Sequence, residues 1–221
     1  TDKISRATDN GTFEIKSVEY NVILNAPDVK MTYHDGTRFI ATLTDKQGNP
    51  IRDAPIEITI NGKTYTKTTD EKGVVSLGLS LDSGIYTVTV NFKGTADYTP
   101  ITRQAKVTIE PTVKGLDVVK MFRNNTQYYA IFTDSQGNFL KNKNVQFNIN
   151  GVFYTKTTND KGIAMMGINL NPGKYIITAK NLVTGEQSSN IITVKSLIVQ
   201  KDLTKYYLNA SRFEATIYNK D

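Results

Sequence analysis

The stretch "NGKTYTKTT" at 61–69 returns as "NGVFYTKTT" at 150–158, with the same Asn-Gly and the same Tyr-Thr-Lys-Thr-Thr. Asn-Gly supplies the two left-handed residues of a tight hairpin turn, a conformation most L-residues adopt only at a cost. Asn61, Gly62, Asn150 and Gly151 are therefore expected at hairpin tips. Just before the first turn, "PIEITI" (55–60) sets Ile56, Ile58 and Ile60 on one face with period two, the signature of a half-buried strand. "TRFIATLT" (37–44) does the same with Phe39, Ala41 and Leu43.

The similarity extends well beyond the hairpin. Residues 28–93 align with 117–182 without a gap, and 24 of the 66 positions are identical. "TDKQGN" falls on "TDSQGN", and "DEKG" on "NDKG". A third, partial copy, "DLTKYYLNASRFEATIYNKD" at 202–221, lies over residues 28–47. The expected division is a terminal strand and linker of a preceding repeat at 1–23, repeats at 24–114 and 115–198, and the first strands of a third repeat at 199–221. Self-similarity at such a period marks stacked modules.

Both full copies place a glycine two residues before a tyrosine at a strand start, in "LDSGIY" (81–86) and "NLNPGKY" (169–175). This pattern predicts a tyrosine corner, with the Tyr86 and Tyr175 hydroxyls bonding back to backbone. Short alternating strands, frequent turns and no helical period predict an all-β fold: tandem Ig-like β-sandwich domains of about seven strands each.

Composition bounds the function. The chain has 221 residues, 38% apolar and 22% charged, as in soluble globular proteins. It has no run apolar enough to span a membrane, and "TDKISRATDNG" at the start has no signal-peptide core. There is no cysteine, which fits a reducing cytoplasm or an exported protein of an oxygen-free habitat. The net charge is +6, and it is uneven. Residues 115–198 hold nine Lys/Arg against four Asp/Glu, whereas 24–114 hold eleven against ten. The lysines are scattered and form no cluster, which argues against nucleic acid; the basic excess reads as solvated surface or as a patch for anionic wall polymers or lipids.

No motif carries chemistry. His34, the single histidine, is replaced by Arg123 and Leu208 in the other copies, so no imidazole is required there. Acidic turn residues recur at Asp45, Asp134, Asp70, Glu71 and Asp160 without calcium-loop spacing, and such residues favour turns by bonding nearby backbone. Lys67 and Lys156 coincide in the repeat, a placement that suits a solvent-facing lysine better than a lysine–asparagine cross-link. No catalytic residue, cofactor or metal site is expected. Asn-x-Ser/Thr occurs at Asn10, Asn124 and Asn209, the last two at equivalent positions; these are the candidate N-glycosylation sites.

The succession "DLTKYY" (202–207), "RFEATI" (212–217), "TDSQGN" (133–138), "NVQFNINGVFYTKTTNDKG" (144–162) and "INLNPGKY" (168–175) resembles the tandem Ig-like repeats of adhesin-like surface proteins of methanogenic archaea. More distantly it is similar to the Big-type sandwich domains of bacterial invasins. The resemblance covers the chain from about residue 24 onward. It implies an extracellular, cell-wall-associated protein of an anaerobe, which would account for an exported chain without cysteine. The expected role is a repeat stalk presenting a distal module, its partners being neighbouring repeats of the same chain. The alternative is that the repeats themselves bind host or microbial cell-surface glycans, wall polymers or proteins, or build a fibre by strand addition.

Overall fold

The computed structural model describes residues 21–221, an all-β chain of tandem Ig-like sandwich repeats. Of the strand and linker expected over 1–23, residues 1–20, with Asn10, lie outside the described residues, and Val22 and Ile23 stand in the opening strand of the first repeat. By compactness the chain divides into two units that do not follow the sequence repeats. One gathers residues 21–26, 40–75 and 89–104; the other gathers 27–39, 76–88 and 105–221.

The second repeat lies wholly in the larger unit. Its strands are β9 (Val113–Gly115), β10 (Val118–Met121), β11 (Gln127–Phe132), β12 (Asn144–Ile149), β13 (Val152–Thr157), β14 (Ile163–Gly167), β15 (Gly173–Lys180) and β16 (Gln187–Lys195). They form a three-stranded sheet in the order β14-β11-β9 and a five-stranded sheet in the order β10-β16-β15-β12-β13. Eight strands stand where about seven were expected, because the opening strand is split. β9 pairs antiparallel with β11 in one sheet, then the chain crosses over and β10 pairs parallel with β16 in the other. β9 also straddles the expected boundary at 114/115.

Alternation makes the core. In β12, Val145, Phe147 and Ile149 point inward while Asn144, Gln146 and Asn148 do not. Phe147 meets Tyr128 edge-on at 5.4 Å between ring centroids and Phe132 at 6.1 Å. Ile177, Ile192 and Val194 join the same cluster. Burying each such side chain contributes roughly 1.5–3 kcal/mol, so this cluster dominates the repeat's stability; Phe147→Ala would cost about 3–5 kcal/mol.

The first repeat has matching strands: β1 (Val22–Asn25), β2 (Val29–Thr32), β3 (Arg38–Asp45), β4 (Pro55–Ile60), β5 (Lys63–Thr68), β6 (Val74–Gly78), β7 (Gly84–Phe92) and β8 (Ile101–Glu110). The sheet orders are β1-β3-β6 and β2-β8-β7-β4-β5. Phe39, Leu43, Ile56, Ile58, Val88 and Phe92 are fully buried. In the third copy, β17 (Ile198–Gln200) pairs with β18 (Ala215–Ile217). The opening register is the same in all three copies: Leu24 opposite Leu43, Val113 opposite Phe132, Ile198 opposite Ile217.

Candidate functional site

The positions shared between copies are held by backbone geometry. Asn61 and Gly62 have φ of 48° and 73°, and Asn150 and Gly151 have 52° and 76°; each pair turns β4 into β5 or β12 into β13. The Tyr86 hydroxyl donates to the Asp82 carbonyl at 2.9 Å, and the Tyr175 hydroxyl to the Asn171 carbonyl at 2.9 Å. Burial pushes the Tyr86 phenol up, and Asp82 adds to the shift. His34, Arg123 and Leu208 share a left-handed backbone, with φ of 56°, 61° and 63°. What that position repeats is a dihedral angle, reached by three unrelated side chains.

The acidic turn residues are occupied in the same way. The Asp45 Oδ1 accepts the N–H groups of Gln47 and Asn49, and Asp134 Oδ1 those of Gln136 and Asn138. Asp70 Oδ1 accepts from Lys72 and Val74, and Asn159 Oδ1 accepts from Lys161 and Ile163 in the second copy. A neutral amide thus does the work of the carboxylate. Among the described residues, no group of three or more His, Asp or Glu side chains is placed to hold a metal ion. Lys67 and Lys156 lie on β5 and β13, opposite Ile56 and Val145, at one edge of each five-stranded sheet.

The two described Asn-x-Ser/Thr triplets close identical turns. Asn124 Oδ1 accepts from the Thr126 N–H at 2.8 Å and from its hydroxyl, and Asn209 Oδ1 accepts both groups of Ser211. In the first repeat Asp35 Oδ1 accepts the Thr37 N–H at 2.8 Å. Backbone bonding alone therefore accounts for Asn or Asp at this position. Asn124 Nδ2 further donates to the Lys220 carbonyl at 3.0 Å.

Beside that turn, at one end of the second repeat, opens a cleft of about 500 Å³. Its floor is Lys120, only 5% exposed, whose amine donates to the Ile168 carbonyl at 2.8 Å and the Thr126 carbonyl at 3.4 Å. Burial holds this ammonium below its usual range, because a desolvated charge is disfavoured. Arg123, Asn124, Thr126 and Asn169 line the walls. Nothing in the alternating run "VVKMF" distinguishes Lys120 from a surface lysine; its inward period, shared with Val118, is the only signal.

A second buried charge was equally hidden. Glu186, 4% exposed, accepts from the Thr112 N–H and, at 2.6 Å, from the Thr112 hydroxyl. A carboxylate only accepts here, so that hydroxyl is committed and Thr184 donates to it at 2.8 Å. Buried Asn181 completes the knot, giving Nδ2 to the Thr133 carbonyl at 2.8 Å. The entry to the second repeat is thus tied to the loop before its last strand. In the first repeat, Asn21 makes the corresponding tie, accepting from the Thr99 N–H at 2.8 Å.

No protein-family model matches the chain, and no curated protein matches it in sequence. Among solved structures it is similar to a 1.5-MDa bacterial ice-binding adhesin, at 15% identity and a TM-score of 0.30, covering 79% of this chain and 63% of that one. It is also similar to trypsin-activated alpha-2-macroglobulin from Escherichia coli, at 12% identity and 0.48, covering 79% and 16%. A third is the Bacteroides ovatus protein SGBP-B in complex with a mixed-linkage heptasaccharide, at 16% identity and 0.30, covering 76% and 42%. At these scores none bears on what the chain does.

Proposed function

We propose that the chain is a run of load-bearing repeats from a non-enzymatic, adhesin-like protein of the cell exterior, a stalk that holds a distal module away from the surface. One observation carries the reading. Three opening strand pairs share one register, and both joints between copies are two residues long, from Glu110 to Val113 and from Lys195 to Ile198. Short joints tied by side-chain bonds restrict hinging, whereas long flexible linkers do not. The repeat units of this reading span 22–110, 113–195 and 198 onward. Tyr86 and Tyr175 act as tyrosine corners that brace each Greek-key crossing, and half-buried Asn124 and exposed Asn209 are the acceptors for any glycan.

Pulling single molecules of the purified chain tests this. The expected trace has two separate unfolding events, each releasing about 280–310 Å of chain for a repeat of about 85 residues. A single event, or unfolding without measurable resistance, overturns the reading.

A further inference from the structure

We propose that the cleft over Lys120 is a binding site for an acidic saccharide, with the buried amine receiving the carboxylate of a uronic acid. The inference goes beyond the stalk reading and does not depend on it, since a repeat can carry a ligand whether or not it bears load.

The first argument is that the fold does not need the amine. Lys120 corresponds to Met31 of the first repeat, which is equally buried at 4% exposure. The two residues have the same register, Met31 opposite Ile109 and Lys120 opposite Val194 on parallel neighbours. A thioether fills the position in one copy, so the desolvation of an ammonium in the other serves something besides packing.

The second argument is stoichiometric. An ammonium has three donors, and Lys120 has two protein acceptors, one of them at 3.4 Å. A third N–H is left for a guest in the cleft it floors. Arg123 brings a second cation, and no carboxylate lies among the lining residues. An anion entering there meets two positive groups in a partly desolvated site, where charge-assisted bonds are strong. The remaining polar lining is neutral: carboxamides of Asn125, Gln127 and Asn169, beside Asn124 and the Thr126 hydroxyl, which are bonded to each other. Amides both donate and accept, which suits vicinal sugar hydroxyls better than a bare multivalent anion.

The third argument is the difference between copies. The first repeat combines Met31 with Asp35 at the Asn124 position, removing the amine and adding a negative charge. The third copy restores the lysine, and Lys205 Nζ donates to the Ser211 carbonyl at 3.2 Å, as Lys120 does to Thr126. Binding is therefore assigned to the second repeat and denied to the first.

The test titrates the isotope-labelled 221-residue chain with trigalacturonate, with a neutral galactose trisaccharide and with inorganic phosphate, following backbone amide resonances. Trigalacturonate is expected to give saturable shifts at residues 120–127 and 167–169. Lys120→Met, the residue the first repeat already folds with, should weaken binding about tenfold or more. Lys156→Met should leave it unchanged. The proposal is overturned if the unmodified chain shows no saturable shift, if Lys120→Met binds equally well, or if phosphate or the neutral sugar binds as tightly as trigalacturonate.

Discussion

The Tyr128 hydroxyl fills the space that a Cβ at Gly115 would need. It donates there to Asn190 Oδ1 at 2.8 Å, and burial, with Asp117 adding to it, pushes the phenol up to about 12. The first repeat has Phe39 and Ala26 at these two positions: one copy drops the hydroxyl and carries the methyl, the other does the reverse. Gly115→Ala should destabilise the second repeat by about 1–3 kcal/mol, the usual cost of overpacking. Adding Tyr128→Phe should recover part of that loss, although Asn190 then loses a donor. Urea unfolding of the two variants checks this, and a double variant no more stable than Gly115→Ala alone would refute the pairing.

The left-handed position at His34 makes a separate prediction. His34→Asn should leave stability within about 0.5 kcal/mol, because Asn tolerates this region. His34→Val should cost about 1–2 kcal/mol, because a β-branched residue crowds the carbonyl there. Thermal denaturation distinguishes the two. Equal losses would mean that the Tyr33 ring, stacked on His34 at 3.9 Å, matters more than the backbone.

Acid should act on the turns. Asp45, Asp70 and Asp134 are all held below the usual carboxylate range. For Asp70 the N–H groups of Val74 and Lys72 are the cause. For Asp45 the Asn49 side chain leads, and for Asp134 burial opposes a shift that the Asn138 and Gln136 bonds outweigh. A depressed carboxylate contributes stability that is fully present above its unfolded value and is lost as pH falls through the folded one. Asp70→Asn keeps the turn, as Asn159 does, but has no proton to gain. Its melting temperature should match the unmodified chain at neutral pH and fall less on acidification. Identical acid profiles would remove Asp70 from the account.

The tie between Thr112 and Glu186 should control how firmly the second repeat is entered. Glu186→Ala leaves the buried Thr112 N–H without its acceptor, at a cost of about 1–3 kcal/mol. Limited proteolysis should then cut near residues 110–113 faster than in the unmodified chain. An unchanged cleavage rate there would show that the strand pairing of β9 alone holds the joint.

How much of this was legible in the sequence follows from the range of each interaction. Alternation in β4 and β12 and the glycine-bearing turns are local, so the sandwich class and its strand runs could be read directly. The break between β9 and β10 could not, because "EPTVKGL" (110–116) reads as linker; only antiparallel pairing with β11 and parallel pairing with β16 reveal two strands in two sheets. Lys120 and Glu186 were missed for the same reason. Their partners Ile168 and Thr112 lie 48 and 74 residues away, and nothing local marks a charge as buried.

The common register of the opening strand pairs sets how such a chain can change length. A crossover between equivalent codons of two copies, for instance at the paired Asn-Gly turns, yields a hybrid repeat in which every strand keeps its partner and every joint its two residues. Repeat number is thus free to drift by recombination in whole-module steps, while a change of any other size has to be absorbed in a loop, as the longer connection between β7 and β8 than between β15 and β16 shows.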